Sequence, residues 1–285
     1  MLASYRAERP SRIVNNAMKP LARSVARFCD TLARLPDSHD SHVHPRRRGG
    51  LVELHDRALN TQEHLIHIGN TISGHRRGSA TRIQRSLHQL QRTYRSLQGL
   101  MIGVPDRFLD RGDPRPEGTV RHLLQASLNV YHANVPVLGG GTPRYPMQHA
   151  SHSALLAHPA LHEPGLTKTD LLSTLFERSE RFHHAMVEQL CNVPKESDLP
   201  AYRADIEAWL AHMEAHLLEQ QVGLAHLLER AGHHRTTPMS LAHGVFVALG
   251  HAEGAMIGVE SRFENNWQPM IDLVSAHTSE LSRYC

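Results

Sequence analysis

Gln98-Gly99-Leu100-Met101-Ile102-Gly103-Val104-Pro105-Asp106-Arg107-Phe108 returns 155 positions later as Glu253-Gly254-Ala255-Met256-Ile257-Gly258-Val259-Glu260-Ser261-Arg262-Phe263, with seven positions identical. Two weaker echoes lie upstream of each copy. Arg27-Phe28, in a helical stretch ending near Leu35-Pro36, matches Arg181-Phe182 in one ending near Val193-Pro194. Glu63-His64-Leu65-Ile66 matches Ala215-His216-Leu217-Leu218. The spacing drifts between about 152 and 158, as loop insertions would make it. An internal repeat of this length sets the domain organisation before any other reading. It divides 285 residues into two units of roughly 140–150 residues.

Outward from the repeat, apolar residues recur at helical spacing and strand-like alternation is scarce. Ile83, Leu87, Leu90, Tyr94 and Leu97 step by four, three, four and three, which puts them on one face of a first helix. After the turn-rich Asp110–Pro116, a second helix is predicted from about Thr119 to Asn134. A Gly/Pro/His stretch follows from Leu138 to Gly165. Thr167-Lys168-Thr169-Asp170 then opens a third helix like a capping box, running to about Val193. The fourth covers roughly Pro200 to Ala231, with Ile206, Leu210, Met213, Leu217, Leu224 and Leu228 as its stripe and Gly232 as its stop.

Residues 76–232 thus hold one full set of four helices, and the rest of the chain holds the same set cut in two. Residues 1–75 match the third and fourth helices; residues 233–285 match the first and, from Trp267 to Tyr284, the second. Helix pairs bury their stripes only when all four are present. The expected fold is therefore all-α: a continuous bundle over 76–232 and a split bundle in which 1–75 and 233–285 come together, a circularly permuted duplication. The rival arrangement is a fragment of a longer array whose half-units pair between chains. Asp37–Gly50 reads as a mobile basic loop, and His149–His162 as a loop with a short helix over Ser153–Ala157.

Composition narrows the function classes. A formal charge of +3 gives no case for nucleic acid. Three cysteines, Cys29, Cys191 and Cys285, have no paired spacing, which argues against a disulfide framework and for a reducing compartment. Cys29 and Cys191 read as core or boundary residues. No apolar run approaches membrane-spanning length and the N-terminus lacks an apolar leader core, so a cytoplasmic location is expected. No CxxC or phosphate-cradling Gly-rich loop is present, and Gly139-Gly140-Gly141 reads as a joint.

The 24 histidines invite a metal reading. His212-Met213-Glu214-Ala215-His216 puts two imidazoles one turn apart on one helix face, the geometry two ligands of one ion need. The pair flanks the stripe at Met213, so it is expected to point into or beside the bundle, with His122 on the second helix as donor of the third ligand. The plain alternative is chance: so many histidines make such pairs on half-exposed faces expected.

A His on the second helix and His-x-x-x-His on the fourth resembles the DinB-like superfamily of four-helix metalloenzymes. Gly118-Thr119-Val120-Arg121-His122-Leu123-Leu124-Gln125-Ala126 is similar to the start of that family's second helix, and His212-Met213-Glu214-Ala215-His216-Leu217-Leu218-Glu219-Gln220 to its fourth. Leu97–Gly103 looks like the end of its first helix. The resemblance implies a divalent metal, Zn or Ni, held by His212 and His216, and a thiol-linked transferase or isomerase reaction on a small molecule. A homodimer is a further expectation. The pattern also departs from the family. The Thr119-Val120-Arg121 register puts Ala126 where the family has its metal-binding His, with His122 one turn earlier and directed at the helix boundary or solvent. In the split unit Asn60 replaces the first His of the pair, leaving His64, and His277 falls near the second-helix position; His64 and His277 form an alternative site there. A non-catalytic helical binding or interaction module that has lost the metal site stands as the competing reading.

Overall fold

The computed structural model describes residues 10–35, 50–74, 82–111, 118–134, 167–172, 200–257 and 267–283. They form seven long helices: α1 (Pro10–Ala33), α2 (Gly50–Gly74), α3 (Arg82–Leu100), α4 (Val120–Asn134), α5 (Pro200–Arg230), α6 (Thr237–Met256) and α7 (Gln268–Leu281). No strand occurs among the described residues, so the chain is all-α there. None of its described helices is long and apolar enough to cross a membrane. The body of the third helix, Cys191, both histidine-rich loops and the Gly139–Gly141 joint lie outside the described residues, apart from Gly50, which opens α2.

The predicted stops and starts are made by the expected chemistry. Thr167 and Asp170 exchange bonds, the Thr167 hydroxyl accepting from Asp170 N at 3.2 Å and the Asp170 carboxylate from Thr167 N at 2.9 Å. That closes the capping box and starts the helical turn at 168–172. Gly232 takes φ +80°, and His233 N donates back to Leu228 O at 2.9 Å, which ends α5 with the left-handed residue such a stop needs. Thr236 caps α6 by accepting from Met239 N. Arg121 locks α4 to the turn after α3 with a two-pronged bond to Asp110, at 2.6 and 2.9 Å.

Two cores follow from how these helices pack. Leu87, Leu90, Tyr94 and Leu97 of α3 join Val120 and Leu124 of α4 and Met213, Leu217 and Leu224 of α5 in one. The other draws on both chain ends: Leu21, Val25 and Phe28 of α1, Leu65 and Ile72 of α2, Val245 and Leu249 of α6, and Met270 and Val274 of α7. Helix α6 packs on α1, α2 and α3, and α7 packs on α1 and α2. A Ser24–Ser275 hydroxyl contact at 3.3 Å spans the two ends. Cys29 is fully buried in the second core, its thiol against Ala242 O, and burial pushes that thiol well above its ordinary value. The expected core role for Cys29 is the one it has.

The two cores are reciprocal in detail. Ile102, just past α3, is buried in the core of α1, α2, α6 and α7, whereas its repeat partner Ile257, just past α6, is buried in the other. Gly99 lies against His243, and its repeat partner Gly254 lies against His88, which is itself 155 positions before His243. His88 touches His251 while Ser96, 155 before His251, touches His243. These contacts of α3 on α6 are answered by counterparts of α6 on α3, whereas the Arg95–Glu253 pair in the same contact has none, its matching positions being Gly250 and Gln98.

Candidate functional site

The pair His212 and His216 sits on α5, whose buried face is Leu210, Met213, Leu217, Gln220 and Leu224. One residue along a helix is a turn of about 100°. His212, the neighbour of Met213, is therefore swung outward and is exposed. His216, three residues from Met213, stays on the edge of the buried face and is half-buried. Its Nε2 lies 3.5 Å from the Gln220 amide nitrogen and its Nδ1 4.0 Å from the Glu219 carboxylate.

His122 is 6 % exposed, so it does not point to solvent. It occupies the first turn of α4, where its backbone N–H donates to the Thr119 hydroxyl at 3.2 Å. Ala126, one turn on, is also buried. Among the described residues, no three His, Cys, Asp or Glu side chains are gathered so that they could hold a metal ion. His122, His212 and His216 are therefore not drawn together as a ligand set here.

The matching positions on α2 and α7 build something different. Buried residues pair α2 with α5 at a spacing of 152, Ala58 with Leu210, Leu65 with Leu217 and Ile72 with Leu224. They pair α4 with α7 at 150, Val120 with Met270 and Leu124 with Val274. In this register Asn60 stands for His212, Thr61 for Met213, and His277 for Ser127. Between α2 and α7 opens a cleft of about 420 Å³, lined by Asp56, Arg57, Asn60, Leu273, Ala276, His277 and Glu280. His277 is anchored by a 3.1 Å contact from its Nδ1 to the Thr61 hydroxyl and packs on Phe28, ring centroids 6.2 Å apart. Arg57 pairs with Glu280 across the cleft. Burial, then the Arg57 and His64 charges, hold the His277 imidazole below its ordinary value, so it is neutral at pH 7. His64 itself is exposed, its Nδ1 2.8 Å from Asn60 O.

Sequence reading named Asn60, His64 and His277 but missed Asp56, Arg57, Thr61 and Glu280. The signal was available only through the pairing of chain ends, because Arg57 and Glu280 belong to opposite termini. A helical projection of α2 against α7 would have aligned them.

A second polar assembly lies in the α3–α6 contact. His88 Nε2 is 3.1 Å from His251 Nδ1, and His251 Nε2 is 3.1 Å from Asn70 Oδ1. Nε2 of His251 must be the proton carrier if it donates to that carbonyl oxygen, which leaves Nδ1 to accept from His88. His243 Nε2 meets the Ser96 hydroxyl at 2.9 Å, and Ser96 donates to Gln221 at 3.1 Å. Every one of these groups has a polar partner, so the assembly reads as interface rather than site.

Burial, with the Arg235 charge behind it, pushes the His243 imidazole down to about 4. Folded protein therefore keeps His243 neutral where the unfolded chain, near 6.5, begins to bind a proton. The stability carried by the neutral ring is complete above about pH 6.5 and is lost as pH falls towards 4. Burial and Arg92 push His251 in the same direction. Urea unfolding at pH 7 and pH 4.5 is expected to show wild type losing up to about 3 kcal/mol more than His243→Asn over that interval. Equal losses would show that the ring is not desolvated at the interface.

No family model, curated protein or solved structure matches the chain. The DinB-like resemblance accordingly rests on the quoted motifs alone.

Proposed function

We propose that the chain is a helical binding module on a duplicated, DinB-like scaffold, and that its ligand site is the α2–α7 cleft of the half built from both chain ends. The reciprocal α3–α6 contacts support the duplicated two-bundle reading, with 76–232 as one unit and 1–75 plus 233–285 as the other. One observation carries the functional reading: the cleft of about 420 Å³ sets two anchored polar pairs, Thr61–His277 and Arg57–Glu280, beside the side chains of Leu273 and Ala276. That volume is in the range of small-molecule sites, which combine apolar lining with a few fixed polar groups. The competing reading is a metal-dependent, thiol-linked transferase or isomerase using His122, His212 and His216.

Calorimetric titration of the untagged full chain with Zn²⁺ and with Ni²⁺ separates the two. A metalloenzyme keeps an open coordination position on a tightly held ion. The module reading expects no binding tighter than about 10 µM that depends on His216, and the same weak isotherm for His216→Ala as for wild type. One stoichiometric tight site, abolished in His216→Ala and retained in His277→Ala, would return the enzyme reading to first place.

A further inference from the structure

This inference rests on the α2–α7 cleft being a ligand site and assigns the ligand's class. We propose that the cleft takes a small organic ammonium ion carrying a short apolar group.

Charge and shape lead to that class. The cleft is lined by two carboxylates, Asp56 and Glu280, and one guanidinium, Arg57. Arg57 and Glu280 are paired with each other, so their charges cancel locally. Asp56 is exposed and makes no ion pair among the described residues, so the described lining carries one negative charge in excess. The Asn60 carboxamide adds a neutral oxygen acceptor on the same wall, one turn of α2 from Asp56. His277 adds no charge at pH 7, and its Nδ1 is held by Thr61.

The chemistry argues against the other two small-ligand classes. An anion would have to sit beside Asp56 and Glu280 and compete with Glu280 for Arg57. A bare divalent cation lacks three gathered ligands among the described residues. An ammonium group needs only one carboxylate and a neutral acceptor, and it donates hydrogen bonds to both. Leu273 and Ala276 then cover the apolar remainder, and about 420 Å³ accommodates a ligand of roughly ten heavy atoms with room for water.

The test uses full-length protein with 13C-labelled histidine, the His277 ring signal being assigned by its loss in His277→Gln. Three probes that share a 2-phenylethyl group and differ in head group are titrated: 2-phenylethylammonium, 3-phenylpropionate and 2-phenylethanol. The expected result is a saturable shift of the His277 signal with the ammonium probe, at least tenfold weaker with the alcohol and absent with the carboxylate. Asp56→Asn, an exposed and nearly isosteric change, is expected to weaken the ammonium probe tenfold or more. Asp272→Asn, on α7 but bonded to Gln268 and not lining the cleft, is expected to leave it unchanged. If the carboxylate binds as well as the ammonium, or Asp56→Asn has no effect, the ligand class is wrong while the cleft remains a binding site. If none of the three probes moves His277, the cleft reading falls and this inference with it.

Discussion

Glu253→Ala is expected to destabilise the protein by about 3–5 kcal/mol, the largest single effect of any change outside the apolar cores. Arg95 is 3 % exposed in the α3–α6 contact. Glu253 meets it with two oxygens, Arg95 Nε at 2.6 Å and Nη2 at 2.5 Å, and also accepts from the Gln91 amide at 2.6 Å. Gln98 takes the third guanidinium bond at 2.5 Å. Removing the carboxylate strands a buried cation, a penalty larger than the net contribution of the pair. The double change Arg95→Met with Glu253→Leu removes both charges and is expected to recover most of the loss. Urea denaturation of Arg95→Met and Glu253→Leu alone and of the double variant completes the cycle. Single-variant losses below 1 kcal/mol would mean that water reaches this pair.

Gly254→Ala and Gly99→Ala are expected to cost about 2 kcal/mol each, although alanine favours a helix over glycine by about 1 kcal/mol. A Cβ at Gly99 would stand 3.0 Å from the His243 backbone, and one at Gly254 would stand 2.9 Å from the His88 carbonyl oxygen. Both obstacles include main chain, so the helices must separate for either methyl to fit. A melting temperature lowered by about 4–8 °C is the corresponding shift for a protein near this size. The two sites make a sharper point together: the substitutions are expected to have similar effects because each added methyl meets a histidine side chain and main chain on the facing helix. Gly74→Ala is the control, with nothing within 4 Å of its added Cβ, and it is expected to be neutral or mildly stabilising. A Gly99→Ala loss confined to one of the pair would break the equivalence of α3 and α6.

The helices were legible because their evidence is local. The stripe from Ile83 to Leu97 is buried along its length, Gly232 stops α5, and the Thr167–Asp170 box starts its helix. The packing of the chain ends was inferable too, since α1 and α2 expose stripes that nothing between them can cover. Candidate ligands were less legible. An i, i+4 spacing puts His212 and His216 on one face but does not say which way that face turns; Met213 and Leu217 decide it, and they turn His212 outward. His122 shows the same gap, for periodicity assigns it a face and no distance to another helix. Thr61 and His277 meet only because two distant helices cross there. The α3–α6 network depends on a crossing angle and on glycines that allow close approach, neither of which periodicity encodes.

A site between α2 and α7 exists in one molecule only if the two ends of one chain pair with each other. Ser24 on α1 and Ser275 on α7 offer the direct measurement, their hydroxyls lying 3.3 Å apart across that pairing. In a background with Cys191→Ser and Cys285→Ser, and with buried Cys29 retained, the pair Ser24→Cys and Ser275→Cys is oxidised at low protein concentration. The hydroxyl contact shows that the two side chains face each other, the approach two thiols need before they can join. The account predicts a monomeric, internally cross-linked chain that runs faster than its reduced form on a non-reducing gel, with cross-linking independent of concentration. Disulfide-linked dimers that scale with concentration, or no cross-link at all, would contradict it and leave the half-units to find their partners in other chains.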